Sequence, residues 1–531
     1  MRGPDRLRTA LSSALFAGWF GLLLLPSATV FSTAHTWDAH PLLLLAVTAG
    51  FFAFAWLLAG SRWFFILTLP FAFLGLVVMA ADVMRGANLV EIALVAGRID
   101  PREARDALAP YALPLGITFA LLAACVVYAF RRPLPMPRAR VRFATAVLLA
   151  VALVAPALVA PATVLRAWPL NVASLEVAAA LGRRDFIATA LPWAPVDPRA
   201  RGTSWSAHRD AAITAARETY VVVIGESVRA DRLAACGGRA PLALPDEAIV
   251  YCDVTSGSTS THTAVPLLVS REMPGGSLRV STDTTVLHAF GEVGFRTYWL
   301  GVQGPTVAWP DADVARYAQP LSTDRRDLLP LLRAALADPA PRKVIVLHSY
   351  DAHFNYCDRY DATDAPFPVD CAALGPLPTP QKRDRWLDAY DNAVAETLAF
   401  LRAVHGEVEG QGGESFLVYT SDHGENLVDD ERGLFAHSLK ELSRYDTRVP
   451  MIFWPGKSWR ESHAAQAHAL ADHRGVRAMH ADLVPTVLGA AGIRYADPRT
   501  EVADLTREAP PARTRWVSRR LGEAVDGDAL R

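Results

Sequence analysis

Five long stretches without one charged side chain crowd into the first third of this 531-residue chain, and no other feature limits its folding choices so tightly. They are Leu11–Phe31, Pro41–Ser61, Trp63–Ala81, Ala107–Phe130 and Phe143–Leu165. A helix needs roughly 20 apolar residues to cross a hydrocarbon core, and these runs have that length. Buried helices of soluble proteins are usually shorter, and a cleaved export signal accounts for the first run alone. The chain is therefore read as an N-terminal all-α membrane domain of five transmembrane helices, its second and third spans forming a tight hairpin at Arg62.

Arginine placement sets the expected orientation, because positive charge concentrates in short cytoplasmic segments. Arg2, Arg6 and Arg8 precede the first span, and Arg62 lies in the next loop on that side. Arg131, Arg132, Arg138, Arg140 and Arg142 follow the fourth span. The loop Ser32–His40 has neither Lys nor Arg, whereas the loop between the third and fourth spans mixes four arginines with five acids. The N-terminus is expected inside, and everything after Leu165 outside. The expected domains are 1–165 (membrane), 166–215 (a connector along the membrane surface, with an amphipathic piece at Leu170–Leu181) and 216–531 (the exported domain).

The exported part alternates short β-rich runs with helical patterns. The runs are Tyr220–Ile224, Ile249–Val254, Phe295–Leu300, Val344–Leu347, Phe416–Thr420 and Pro450–Trp454. Helices are expected over Thr285–Val293, Asp327–Ala337, Arg383–Val404 and Ala481–Ala491. Such alternation predicts an α/β domain with a central, largely parallel sheet, and sheets of this kind bind ligands beyond the carboxyl ends of their strands. Just past those ends lie Gly225-Glu226-Ser227, His348 with His353, Ser421-Asp422-His423-Gly424 and the hydroxyl-rich run Thr255–Thr263. Carboxylates, imidazoles and hydroxyls thus converge on one edge, as a divalent metal with a hydroxyl nucleophile would require.

Taken alone, an Asp-His pair in a loop such as Asp422-His423 is more often a capping or turn element than a metal site. With Glu226 after another strand, the oxygen and nitrogen donors suit zinc or manganese. A threonine hydroxyl is a weak nucleophile that a metal activates by lowering its pKa. Pro266 and the apolar run Val265–Val269 predict a helix starting near Thr261, whose N-terminus favours a phosphoryl group. Composition does not choose among Thr259, Ser260, Thr261 and Thr263. His353 and His437 are candidates for holding phosphoryl oxygens, binding a second metal or protonating a leaving group. Net charge is −1, with 53 basic and 54 acidic residues, so nothing points to nucleic acid. Export permits disulfides among Cys236, Cys252, Cys357 and Cys371 without fixing a pairing.

These segments resemble the phosphoethanolamine transferases of the alkaline phosphatase/sulfatase superfamily, the lipid A modifying and mobile colistin resistance type. Gly225-Glu226-Ser227-Val228-Arg229-Ala230, Thr259–Pro266, His348 to His353, Ser421–Leu427 and Leu434–His437 carry the resemblance. It singles out Thr261, five residues before Pro266, as the nucleophile. It implies Glu226, Thr261, Asp422 and His423 as zinc ligands, with His353 and His437 on the phosphoryl group or a second zinc. It further implies a bacterial inner-membrane enzyme with a periplasmic catalytic domain. Phosphoethanolamine would pass from phosphatidylethanolamine through phospho-threonine to a lipid-borne acceptor such as lipid A.

The chain departs from that pattern in places. Gly257 and Leu267 stand where relatives commonly carry cysteines, and Gly301-Val302-Gln303-Gly304 lacks a lysine-bearing polar pattern. Competing expectations are a phosphoglycerol transferase using phosphatidylglycerol, a membrane-anchored sulfatase or phosphodiesterase, and a degenerate domain serving as sensor or scaffold.

Overall fold

The computed structural model describes residues 14–24, 41–85, 112–131, 138–159, 204–209, 215–240, 244–275, 284–303, 311–318, 324–375, 378–439, 441–520 and 523–531. The described residues up to 159 belong to one compact unit and those from 204 onward to another. The expected amphipathic piece Leu170–Leu181 lies outside the described residues, as do parts of the first, fourth and fifth apolar stretches.

The first unit is helical: residues 14–24, α1 (Pro41–Arg85), α2 (Ala112–Arg131) and α3 (Ala139–Val159). The helical path of α1 breaks at Gly60, whose φ of 72° and ψ of 162° only glycine adopts at little cost. Phe52 and Phe71 bring their rings to 6.0 Å across that break. A straight helix would hold them about 28 Å apart, so the chain doubles back, and the hairpin expected at Arg62 turns two residues earlier. Trp19, Phe52, Phe64, Phe65 and Leu122 form the unit's core, and Trp19 Nε1 donates to Thr68 Oγ1 at 3.0 Å. Among the described residues, no helix is long and apolar enough to cross a membrane. Several outward-facing side chains are nonetheless large and apolar: Leu67, Leu113, Phe143 and Leu148 are each at least 60% exposed.

In the second unit an eight-stranded sheet lies between two layers of helices. Its strands are β1 (Glu218–Gly225), β2 (Ile249–Thr255), β3 (Arg296–Gly301), β4 (Val314–Tyr317), β5 (Arg342–His348), β6 (Glu414–Ser421), β7 (Arg448–Pro455) and β8 (Ala478–Met479). The spatial order is β8-β2-β7-β6-β1-β5-β3-β4. All strands run parallel except β7, which is antiparallel to both β2 and β6. All six expected strands are present. Val314–Tyr317 and Ala478–Met479 were not expected; each is an edge strand too short to show a period.

Burial on both faces explains the β-branched run of β1, where every residue is buried. Val221 and Val223 face one core with α6 (Leu328–Leu336) and α7 (Arg383–Glu409). Tyr220, Val222 and Ile224 face the other, with α4 (Thr261–Val269), α5 (Val286–Glu292) and α8 (Leu483–Ala490). Within the segment expected to be a connector, Trp205 is fully buried in this second core, and His208–Arg209 pair with Ile493–Arg494. Disulfides join Cys236 to Cys252 and Cys357 to Cys371.

Candidate metal and nucleophile centre

Parallel pairing of β1 with β6 matches Gly225 to Ser421, so the next residues, Glu226 and Asp422, emerge side by side at the carboxyl edge. Both neighbouring glycines are demanded by close approach. A Cβ on Gly225 would meet Tyr419 Oη at 2.3 Å, and one on Gly424 would meet the Tyr445 carbonyl at 2.2 Å. The close approach of that carbonyl is therefore what requires glycine at 424. Thr261 opens α4, which follows β2, and points at the same spot.

The four side chains converge closely. Thr261 Oγ1 lies 3.2 Å from Glu226 Oε2 and 3.2 Å from His423 Nε2. His423 Nε2 stands 3.3 Å from Glu226 Oε1 and 3.4 Å from Asp422 Oδ2. His423 Nδ1 lies 2.8 Å from the Gly424 carbonyl, which can only accept, so Nδ1 carries the proton and Nε2 presents a lone pair. Burial, then the neighbouring His437, pushes the His423 pKa down to about 4, which keeps the ring neutral. Glu226 is pushed up to about 7 by burial and then by the charge of Asp422; burial pushes Asp422 up to about 7 as well. Asp422 Oδ1 accepts from the Ser227 and His423 amides, while among the described residues buried Oδ2 has no hydrogen-bond partner.

Two carboxylates, an imidazole lone pair and a hydroxyl thus face one another at close range. Donors about 2.0 Å from a tetrahedral zinc stand about 3.3 Å apart, which matches the observed 3.2–3.4 Å separations. The donor set therefore fits a zinc ion. His437 also has a ligand atom within 4.8 Å of ligand atoms of Glu226 and His423.

His353 and His437 form the adjoining wall. Their rings lie 5.4 Å apart, and His437 is 4.1 Å from His423. His437 Nδ1 donates to Glu425 Oε2 at 2.6 Å, and Tyr356 donates to the other oxygen of Glu425 at 2.8 Å. Tyr350 stacks on His353 and shares a 3.0 Å hydrogen bond with its Nδ1. Burial, then His437, holds His353 well below the usual histidine range. His348, the first histidine of its motif, ends β5 with its ring 6.1 Å from that of Trp299. Backbone strain collects here: Ser227 beside Glu226, Asn355 beyond His353, and Ala436 and Ser438 flanking His437 all have positive φ.

Sequence reasoning gave no role to Gln303 or Glu425. Gln303 Nε2 donates to Glu226 Oε2 and to the Ser349 carbonyl, both at 2.9 Å, fixing the carboxylate's orientation. Its position after β3 was the available signal.

A family model described as Sulfatase matches residues 218–493, just over half of the chain. The chain belongs to the sulfatase family. Within it, similarity runs to phosphoethanolamine transferases. Phosphoethanolamine transferase OpgE of Escherichia coli is 26% identical over 254 residues, 44% of this chain and 45% of that one. The E. coli Kdo(2)-lipid A phosphoethanolamine 7''-transferase is 25% identical over 306 residues, 53% of each chain. The matched stretch spans about half the length of these curated relatives. Among solved structures, the integral membrane lipooligosaccharide phosphoethanolamine transferase A of Neisseria meningitidis aligns with a TM-score of 0.65 at 17% identity, covering 94% of this chain and 99% of that one. The periplasmic domain of E. coli EptC, solved as a complex with Zn, aligns with a TM-score of 0.53 at 20% identity over 62% of this chain and 97% of that domain. At such identities the likeness shows a shared fold.

Proposed function

We propose that this chain transfers phosphoethanolamine from phosphatidylethanolamine to a lipid-borne envelope acceptor such as lipid A, through a covalent intermediate on Thr261. The observation that carries this reading is the Thr261 hydroxyl, set at a helix N-terminus within 3.2 Å of both Glu226 and His423. Names of the similar proteins support the transferred group, and the zinc complex of E. coli EptC supports the metal.

Glu226, Thr261, Asp422 and His423 would hold the zinc ion, with His353 and His437 beside the phosphoryl oxygens or a second ion. Bound zinc would supply Lewis-acid stabilisation of phosphoryl charge and lower the pKa of the threonine hydroxyl. Thr261 Oγ1 gives up its proton and attacks phosphorus, the bond to the diacylglycerol oxygen breaks, and that oxygen takes up the proton. His437, which burial keeps neutral and Glu425 backs, is placed to relay it from one oxygen to the other. An acceptor hydroxyl or phosphate then attacks the phospho-threonine and regenerates Thr261.

The apolar runs of the first third, their exposed leucines and phenylalanines, and near-complete alignment with a protein named as integral to the membrane support five spans of a bacterial inner membrane with a periplasmic catalytic domain. Water would not tolerate so large an apolar surface, whereas lipid covers it. The boundaries 1–165, 166–215 and 216–531 are part of this proposal.

Intact-protein mass after incubation with each lipid tests the donor. A phosphoethanolamine adduct with release of diacylglycerol is expected from phosphatidylethanolamine. An adduct from phosphatidylglycerol alone would move the protein to the phosphoglycerol transferases; no adduct from either lipid, with zinc bound, would favour a hydrolase. Glu425→Gln removes the charge behind His437 and is expected to lower turnover by about 10–100-fold, the usual cost of losing a carboxylate partner of a site histidine. Wild-type turnover in that variant would exclude Glu425 from the mechanism.

A further inference from the structure

We propose that the hairpin formed by Trp516–Arg520 and Glu523–Asp526 is a positioning clamp for the nucleophile loop, acting through the backbone amide of Ser518. The proposal rests on Thr261 being the nucleophile. The loop between β2 and α4, residues 256–260, has no helix or strand of its own, so outside contacts set where Thr261 points. One contact comes from the hairpin: Ser518 N donates to the Gly257 carbonyl at 2.8 Å, and Ser258 pairs with Ser518 in a parallel bridge.

The hairpin is anchored firmly enough to act on the loop. Arg515, just ahead of it, is almost fully buried and donates to the backbone carbonyls of Asp253 and Ala478 at 2.9 and 3.2 Å. Gly527, just behind it, lies so close to the end of β2 that a Cβ there would meet Thr255 Cγ2 at 2.8 Å. On the loop's other side, Leu267 of α4 reaches within 3.2 Å of where a Cβ on Gly257 would sit. Gly257 is therefore held between α4 and the hairpin, four residues before Thr261. Displacing a reacting group by about 1 Å can cost around 100-fold in rate, so a loop held this way belongs to the rate of the reaction.

Ser518 aligns with Ala524 across the hairpin, yet spends its amide on Gly257. Proline at 518 therefore removes the clamp's donor. In the full-length enzyme, Ser518→Pro is expected to lower kcat about 10–100-fold while KM and zinc content stay within about twofold of wild type. Hydrogen exchange of residues 256–262 should rise. A crosslink supplies the rescue: the Cβ site of Gly257 is 3.4 Å from Leu267 Cβ, close to disulfide spacing. Oxidised Gly257→Cys/Leu267→Cys placed on Ser518→Pro should restore kcat and slow exchange, and its reduced form should do neither. Wild-type kcat and exchange in Ser518→Pro would overturn the clamp, as would an oxidised crosslink that slows exchange without restoring kcat. If Ser518→Pro does not fold, the crosslink alone decides. Slower exchange at 256–262 on oxidation of the otherwise native enzyme would mean that the hairpin does not hold the loop, and unchanged exchange would support it. Hydrogen exchange needs no substrate, so it tests the clamp even where the transferase reading itself fails.

Discussion

Thr261→Ala is expected to abolish the phosphoethanolamine adduct and to lower diacylglycerol release by about four orders of magnitude or more, the scale on which removal of a covalent nucleophile acts. Alanine keeps the helix start and removes one half-buried hydroxyl, so the melting temperature should hardly move. Thr261→Ser retains an oxygen at the same carbon and should keep turnover within about tenfold of wild type, the cost arising from a looser rotamer. The pair of variants separates chemistry from packing. A covalent adduct on the alanine variant would remove Thr261 as nucleophile, and Ser260 or Thr263 would then be tested. Equal loss in both variants would mean that the methyl group, and hence position rather than reactivity, is what the site needs.

Much of this arrangement was legible because the sheet imposes it. β1 and β6 could be read from continuous apolar runs, and parallel pairing obliges whatever follows them to share an edge. The placement of Glu226 against Asp422 and His423 was accessible for that reason alone. Choosing Thr261 among its hydroxyl neighbours was not, since Thr259, Ser260 and Thr263 are equally polar and only the family's spacing to Pro266 distinguished them. The antiparallel direction of β7 was hidden because a buried strand reads the same either way. Glu425 and Gln303 were seen as residues but had no role, because their partners, His437 and Glu226, lie 12 and 77 positions away in the chain. The contact of Ser518 with Gly257 spans 261 residues and leaves no mark in composition or periodicity.

Asp422→Asn should cost the enzyme its zinc. Asparagine keeps the acceptor for the Ser227 and His423 amides, so the strand end keeps its shape, while the charge and the Oδ2 that faces His423 are lost. Zinc affinity should fall by more than the roughly 100-fold that an outer-shell change produces, and turnover should follow the metal. Proton linkage gives an independent check. In the metal-free protein Glu226 and Asp422 titrate near pH 7, well above ordinary carboxylates. The folded state therefore binds more protons than the unfolded state between about pH 4 and 7. Metal-free stability should fall as pH rises through that window and level off above it. Zinc relieves the repulsion between two ionised carboxylates, so its stabilising effect should be larger at pH 8 than at pH 5.5, and binding below pH 7 should release protons measurable by calorimetry in buffers of different ionisation enthalpy. Asp422→Asn removes one raised carboxylate and, beside burial, the lesser cause that raises the other, so it should weaken the pH dependence of the metal-free protein by about half or more while abolishing the zinc effect. Retained zinc in that variant, with the pH dependence unchanged, would exclude Asp422 as a ligand.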